Sequence, residues 1–184
     1  MTESQTRYLA FLRAINVGGH TVKMDELRKI FEQPGFSNVE TFIASGNVIF
    51  ETVSQDTGGL ESQIEARLRA SLGYEVTAFV RTDREVYATA SYPAFSPAQI
   101  EAAAAYNIAF LKAPLTQTAI EKLMTLKNDI DDFHVHQREI YWLCQVKQSD
   151  SKFSNALLEK TVRSLSSLRG MNTIQKLVKK YPAA

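Results

Sequence analysis

The stretch RYLAFLRAINVGG, residues Arg7–Gly19, reads as a buried strand that runs into a glycine-containing loop. Tyr8–Leu12 is a continuous apolar run, which is typical of a strand covered on both faces. The NVGG sequence at Asn16–Gly19 cannot continue the strand and predicts a loop. A helix is then predicted over Lys23–Phe31, because its apolar residues recur with helical spacing.

The composition is that of an ordinary globular protein. The chain has 184 residues, of which 45% are hydrophobic and 22% charged, with a formal net charge of +1. A chain of this length and hydrophobic content can form one core or two small halves. Its small net charge gives no global attraction to nucleic acid or membranes. The one cysteine, Cys144, excludes an intrachain disulfide and favours a reducing, cytoplasmic location. No apolar run approaches the roughly 18 residues of a membrane span, and the polar residues 1–6, expected to be disordered, contain no signal-peptide core.

The rest of the first half predicts a second helix and three more strands. Short β-rich runs at 39–43 and 48–51 flank Ser45-Gly46-Asn47, which predicts a hairpin turn. A helix over Leu60–Leu72, capped by Gly73, and a strand over 75–80 follow. Thr82 and Glu85 predict a capping box for a short helix that runs to about Ser91, and Ser96, Pro97 and Gln99 predict another helix start. The order strand, helix, strand, strand, helix, strand is that of the ferredoxin-like arrangement.

The second half repeats this pattern. The sequence AFLKA at 109–113 echoes AFLRA at 10–14, and a helix and two strands follow in the same order. A helix over 155–168 is predicted next, with Gly170 as its left-handed cap, and a last helix is expected to begin at Asn172.

We therefore predict an α+β fold of two tandem ferredoxin-like halves of the βαββα type, packed together through internal duplication. The predicted domains are a first half at 7–91, a linker with a short helix at 92–104, and a second half with an extra C-terminal helix at 105–184. Several strands are apolar on both alternating faces, which would leave a large exposed apolar patch on an isolated half. The partner half is the simplest cover, and a self-dimer is the less economical one, so we expect a monomer or a homodimer.

The first group of candidate binding residues is Arg13, Asn16, Gly18 and Gly19. A strand that ends in a glycine loop before a helix can direct backbone N–H groups at an anion. The sequence contains neither G-x-G-x-x-G nor GK[ST], so an ordinary strand-to-helix connection stays the alternative. Ser45, Gly46 and Asn47 form a second group, for which a structural hairpin turn is the alternative.

The third group lies in a basic C-terminal region. Residues 151–184 contain seven Lys or Arg and a single acidic residue, Glu159. Two predicted helix starts in this region have free N–H groups, and basic side chains near them favour a phosphate or carboxylate. The alternative is ordinary helix caps and a solvated basic face. The residues concerned are Lys152, Ser154, Asn155, Arg169, Asn172 and Thr173.

No metal site, cofactor or catalytic motif is predicted. Asp132, His134 and His136 share one face of a predicted strand, but we expect this face to be solvated and to hold no metal. Known nucleophile, zinc-protease and kinase motifs are absent from the sequence, so the catalytic residues, if any, are unknown.

Several longer strings resemble a bacterial family catalogued as domain of unknown function 1697. They are LRAINVGG (12–19), MDELRKIFEQPGF (24–36), SNVETFIASGNVIFE (37–51), SNALLEK (154–160) and RGMNTIQKL (169–177). The resemblance implies two similar ferredoxin-like halves and no established activity. It also implies shared polar motif positions, which fall on Arg13, Asn16, Gly18, Gly19, Ser45, Gly46, Asn47, Lys152, Arg169, Asn172 and Thr173.

The leading functional hypothesis is a cytoplasmic binding or regulatory domain for a small anionic ligand, held in a cleft between the halves. One alternative is an enzyme of unrecognised class that acts on a phosphorylated metabolite. Another is nucleic-acid binding through the basic C-terminal region, which the near-neutral charge disfavours. A purely structural role is the fourth hypothesis.

Overall fold

The computed structural model describes residues 4–32, 35–43 and 46–184. Within these residues the fold is α+β, with two four-stranded antiparallel sheets. The chain divides into two compact units, one formed by residues 1–87 with 181–184 and the other by residues 88–180. The predicted disordered N-terminus, 1–6, lies partly outside the described residues, and the first strand begins at Thr6.

The first unit contains a four-stranded sheet in the order β2-β3-β1-β4. A third helix follows the last strand and continues into the second unit. The elements are β1 (Thr6–Arg13), α1 (Met24–Phe31), β2 (Ser37–Thr41), β3 (Asn47–Thr52), α2 (Thr57–Leu72), β4 (Thr77–Thr82) and α3 (Asp83–Ser91).

Helices α1 and α2 cover one face of this sheet. Alternate residues of β1, such as Tyr8 and Leu12, belong to one core cluster with Ile64 and Leu68 of α2. Gly73 ends α2 in the left-handed conformation with φ 81°, as predicted. The opposite face of β1 is also buried, and Phe11 is 0% exposed. What covers that face stays a prediction.

The second unit contains a sheet in the order β6-β7-β5-β8. A short helix precedes the sheet, and a 3-10 turn at Gln148–Asp150 precedes its second covering helix. The elements are α4 (Pro97–Ala102), β5 (Ala105–Phe110), α5 (Gln117–Met124), β6 (Asp131–His136), β7 (Glu139–Cys144), α6 (Asn155–Val162), β8 (Ser167–Gly170) and α7 (Met171–Lys180).

The fourth strand of this sheet, β8, corrects the sequence prediction of a helix over 155–168. Helix α6 ends at Val162, because Arg163 adopts the left-handed conformation with φ 53° and ψ 43°. The chain then pairs with β5 in antiparallel register, with Leu168 opposite Ala109. The prediction that Gly170 caps a helix is therefore also wrong, since Gly170 is the last residue of β8.

From β1 and from β5 onward, the two units have the same order of strands and helices, and their edge strands β4 and β8 pair in corresponding register. Leu9 of β1 lies opposite Arg81 of β4, and Ile108 of β5 lies opposite Arg169 of β8. The two-half α+β arrangement predicted from the sequence is thus confirmed. Among the described helices, none combines the length and the apolar character that crossing a lipid bilayer requires.

Candidate functional site

In the first unit, three sequence-predicted residues lie around one small cavity. Asn16, Gly46 and Asn47 line it, together with apolar residues that include Ile15 and Met24. Its volume is about 10 Å³, roughly the space of one water molecule. Asn16 of the glycine loop thus lies close to Gly46 and Asn47 of the hairpin, but this cavity cannot hold a ligand larger than water.

The two asparagines of this cavity have structural hydrogen bonds. The Asn16 side-chain oxygen accepts from the Val22 N–H at 2.9 Å, which fixes the loop before α1. Asn47 is 2% exposed, and its Nδ2 donates to the Phe42 carbonyl at 3.0 Å across the hairpin. These contacts stabilise the turns in which the residues lie.

Gly46 makes a close backbone approach to the end of β1. Its carbonyl accepts from the Leu12 N–H at 2.9 Å, and its φ is 76°. A Cβ at this position would lie 2.9 Å from Ile15 Cγ2, closer than real Cβ atoms come. Only glycine fits here. Ser45, its predicted neighbour in the site, lies outside the described residues.

The glycine loop itself is exposed and precedes a helix with an acidic first turn. Gly18 and Gly19 have φ of 60° and 84°. Helix α1 begins without a side-chain cap, but Asp25 and Glu26 occupy its first turn. Their negative charge complements the helix dipole and opposes a bound anion. Arg13 lies at the end of β1 opposite Thr77 and is half-buried.

In the second unit, the start of α6 is satisfied by its own side chains. The Ser154 Oγ accepts from the Leu157 N–H at 3.2 Å. The Asn155 side chain donates to the Ser166 carbonyl and accepts from the Ser166 hydroxyl at 2.6 Å. Lys152 is exposed before this helix. These are ordinary caps, as the structural alternative expected.

The start of α7 is different. The helix begins at Met171, one residue before the predicted start, so Asn172 is its second residue. Its first turn contains no acidic residue. Among the described residues, no side chain accepts a hydrogen bond from the N–H groups of 171–173, which have no partner within the helix either.

A basic groove runs along α7 from this start. Its volume is about 240 Å³, and Asn172, Gln175, Lys176 and Lys179 line it. The spacing of these four residues places them on one side of the helix. Lys176 and Lys179 are the charged side chains of the described lining, so the groove attracts anions. Thr173 lies next to Asn172 and is half-buried.

Arg169 lies in β8, two residues before this helix start, and Asn107 lies in the neighbouring strand β5. Burial lowers the pKa of Arg169 to about 10, because the guanidinium has lost much of its hydration. Arg169 Nη1 donates to the Leu168 carbonyl at 2.9 Å. Asn107 lies opposite Gly170 in the strand register and is 5% exposed. Its Nδ2 has no hydrogen-bond acceptor among the described residues.

Sequence reasoning missed Asn107 because it interrupts an apolar strand and belongs to no motif. It also missed a polar cavity of about 400 Å³ in the first unit. This cavity is built from residues far apart in the chain, so no local pattern marks it. Its lining consists of Ser4, Gln5, Thr6, Arg7, Glu51, Gln55, Thr82, Asp83, Arg84 and Ala184.

His134 and His136 were expected to face water, and this was wrong. Tyr92 stacks on His136 with ring centroids 3.8 Å apart, and its hydroxyl lies 3.0 Å from His134 Nε2. Burial raises the pKa of the neighbouring Tyr106 to about 12. Within the described part of the chain, no group of three or more His, Cys, Asp or Glu side chains is arranged to hold a metal ion.

Comparison with known proteins gives a family. The family model described as "Protein of unknown function (DUF1697)" matches residues 5–141. The chain belongs to this family. The DUF1697 match covers most of the first unit and part of the second. It ends before α6 and α7, so the strings SNALLEK and RGMNTIQKL lie beyond it.

A solved structure of similar fold is that of the conserved bacterial protein SP0830 from Streptococcus pneumoniae. It has a TM-score of 0.78 and 22% identity, over 96% of this chain and 98% of that chain. This likeness supports a shared fold and gives no information about activity. Another structure, of a protein provisionally named chlorite dismutase TA0507, has a TM-score of 0.23 and 13% identity, over 94% of this chain and 98% of that chain. That TM-score is too low to indicate a shared fold. No curated protein matches the sequence.

Proposed function

We propose that this DUF1697 chain binds a small anionic ligand, bearing a phosphate or a carboxylate, in the groove along α7. The observation that carries the proposal is the start of α7, whose N–H groups have no side-chain acceptor and which opens onto two lysines. Exposed N–H groups at a helix start and the positive end of the helix dipole together favour an anion.

The charged side chains that line the described part of the groove are both cations. Lys176 and Lys179 lie one and two turns along it, so both favour an anion. The described lining of the groove contains no Asp, Glu or His. This favours binding over acid-base catalysis, and so a binding domain over an enzyme.

A buried amide of the neighbouring strand β5, that of Asn107, also lacks an acceptor among the described residues. A buried amide N–H₂ without an acceptor is costly, because its desolvation is not repaid by a hydrogen bond. Asn107 lies beside Gly170, with its Oδ1 3.9 Å from the position that a Cβ of residue 170 would occupy. A ligand oxygen, directly or through a bound water, would supply the missing acceptor.

A calorimetric titration with inorganic phosphate, succinate and adenosine monophosphate tests the proposal. We expect saturable binding of at least one of them and about tenfold weaker binding in Lys176→Ala, which removes one charge-assisted contact. Lys160→Ala, at an exposed lysine in the last turn of α6, is the matched control and should bind as the unaltered chain does.

Two results would count against this function. The absence of binding by all three ligands is one, and equal loss in the Lys176 and Lys160 variants is the other. If a duplex DNA or RNA binds instead, with affinity that falls steeply as salt rises, nucleic-acid binding through α7 is the better explanation.

We also propose that the two units are copies of one ferredoxin-like module. The shared strand order and the matching positions of Arg81 and Arg169 support duplication. An experimental structure in which the two units do not superpose with these arginines in register would contradict it. The expected cleft between the halves stays a prediction.

A cytoplasmic location is the last part of the proposal. Cys144 is a free, buried cysteine, and burial raises the pKa of its thiol, so it is poorly reactive. A chain without disulfides is stable in a reducing compartment. Fractionation of cells that produce the protein tests this location. Detection of the protein in a membrane or secreted fraction would contradict it.

A further inference from the structure

We propose that β8, an edge strand of the second sheet, binds an extended acidic segment of a partner protein by strand addition. β8 ends the strand order of its sheet, so one side of its main chain pairs with β5 and the other side faces away from the sheet. None of the β8 residues lines the groove of α7, so this docking edge is separate from the proposed anion site.

The alternation of main-chain hydrogen bonds decides which N–H groups of β8 face outward. The Leu111 N–H donates to the Arg138 carbonyl at 2.9 Å, so the odd-numbered residues of β5 bond to β7. The even-numbered residues of β5 therefore bond to β8, and their register partners are the odd-numbered residues of β8. This leaves the N–H groups of Leu168 and Gly170 pointing away from β5.

The corresponding edge strand of the first unit, β4, is closed by carboxylates. Each outward N–H group of β4 donates to a glutamate. The three pairs are Ala78 with Glu65 at 3.0 Å, Val80 with Glu61 at 3.0 Å and Thr82 with Glu85 at 2.8 Å. The first two glutamates belong to α2, which has 16 residues and lies along β4. An edge whose outward donors are already bonded is protected against pairing with another chain.

The outward donors of β8 lack this cover. The Ser166 N–H, just before β8, donates to Glu159 Oε1 at 2.9 Å, which repeats the first contact of β4. One helical turn before Glu159, Asn155 takes the position that Glu61 has in the first unit. The Asn155 side chain bonds to Ser166, and no side chain of the described residues accepts a hydrogen bond from the Leu168 N–H.

The charge around this edge is positive. The Leu168 carbonyl faces outward like its N–H, and Arg169 Nη1 donates to it at 2.9 Å, so this guanidinium lies at the edge. Arg163 lies in the turn between α6 and β8. Residues 151–184 contain seven Lys or Arg and the single acidic residue Glu159, whose carboxylate already bonds to the Ser166 N–H.

These charges favour an acidic partner over a second copy of the chain. A two-fold pairing of β8 with β8 would place the same cations opposite each other, which is unfavourable. An acidic extended segment supplies main-chain acceptors for the outward N–H groups and carboxylates for the surrounding cations.

Hydrogen exchange in the unaltered chain tests whether the edge is open. The Val80 amide is bonded to Glu61, which is 4% exposed, whereas the Leu168 amide has no such acceptor. We expect the Leu168 amide to exchange at least about tenfold faster than the Val80 amide. Equal protection of the two amides would contradict the open edge.

An NMR titration of the ¹⁵N-labelled chain with acetyl-Glu-Val-Glu-Val-Glu-amide tests docking. The alternating sequence favours an extended strand with its carboxylates on one face. We expect saturable shifts at the amides of Leu168 and Gly170 and none at Val80. A peptide with proline in place of valine keeps the charge but pairs poorly as a strand, and one with lysine in place of glutamate reverses the charge. Both should bind at least about tenfold more weakly.

Asn155→Glu is the variant that should close the edge, because it copies Glu61 of the first unit. It should weaken the peptide at least about tenfold, since the new carboxylate accepts from the Leu168 N–H. Asn155→Ala is the matched control, because it loses the same amide contacts and adds no acceptor, and it should bind the peptide as the unaltered chain does. Lys176→Ala should also leave peptide binding unchanged, because Lys176 lines the groove of α7.

The proposal is overturned by the absence of saturable shifts at β8, by equal binding of the proline peptide, or by equal affinity in the two Asn155 variants. Shifts at Leu168 and Gly170 that depend on protein concentration in the absence of peptide would identify a second copy as the occupant, and would overturn it as well.

Discussion

Helices α3 and α7 occupy the same place in the two units, each directly after the edge strand, but their starts are built differently. At α3, Thr82 Oγ1 accepts from the Glu85 N–H at 3.1 Å, and Glu85 Oε2 accepts from the Thr82 N–H at 2.8 Å. This is the predicted capping box. At α7 the corresponding residues are Gly170 and Thr173, and no such pair of contacts is made among the described residues.

Under the proposed function, the two units use similar elements differently. The first unit satisfies the start of α3, the Asn16 loop and the hairpin with its own side chains, so these polar residues stabilise the fold. In the second unit, no side chain of the described residues accepts from the first N–H groups of α7, and Lys176 and Lys179 lie farther along the same helix. Groups left unsatisfied by the fold are the ones available to a ligand.

The largest expected effect tests the structural role of the hairpin in the first unit. Gly46→Ala combines a positive φ with a Cβ 2.9 Å from Ile15 Cγ2, and should lower the free energy of unfolding by about 2–4 kcal/mol. Gly19→Ala is the control, because it has positive φ but no atom within 4 Å of its Cβ, and should cost about 1 kcal/mol. Urea unfolding of both variants measures this, and equal losses would contradict the close packing.

The next largest effect is expected from the loss of a helix cap, which allows the starts of α3 and α7 to be compared directly. Thr82→Ala removes the cap of α3 and should cost about 1–2 kcal/mol in urea unfolding. Thr173→Ala at α7 removes no cap contact and should cost less than about 0.5 kcal/mol. A Thr173 variant as destabilised as the Thr82 variant would show that the two starts are equivalent after all.

Building the capping box of α3 into the start of α7 tests the comparison further. The double variant Gly170→Thr, Thr173→Glu copies the capping box, and a Cβ at 170 has room because its nearest neighbour, Asn107 Oδ1, is 3.9 Å away. We expect about 1 kcal/mol of added stability and at least about tenfold weaker phosphate binding, since the carboxylate takes the place of the ligand. Gly170→Thr with Thr173→Gln is the control for charge. If phosphate affinity is unchanged in the Glu variant, the ligand is bound elsewhere.

The smallest expected effect on stability is at Asn107. Asn107→Leu replaces a buried amide that has no acceptor for its Nδ2, so the free energy of unfolding should change by less than about 1 kcal/mol. Phosphate binding should nevertheless weaken, because the site loses a donor. Thermal unfolding with and without phosphate measures both, and a strong destabilisation without phosphate would show that Asn107 is structural.

Local signals in the sequence predicted the elements that depend on local chemistry. The Thr82 and Glu85 capping box, the helix start at Ser96 and the Gly73 cap are all confirmed. Each depends on residues within one turn of helix, so the pattern and its cause lie close together in the chain.

The missed elements depend on contacts between distant residues. Strand β8 has four residues and exists because it pairs with β5, while Leu168 and the preceding Leu165 continue the helical spacing of α6. The packing of Tyr92 on His136 and the cavity that includes Arg7 and Arg84 likewise join residues 44 and 77 positions apart. Contacts of this kind leave no periodic pattern in the sequence, so hydrophobic periodicity does not predict them.

The most direct test of the central claim is an NMR titration of the ¹⁵N-labelled chain with inorganic phosphate at low salt. The account predicts saturable shifts centred on the backbone amides of 171–173 and the Asn107 side-chain amide, with none at the capped start of α3. Shifts centred on residues 82–85, or no saturable shifts at 171–173, would contradict it.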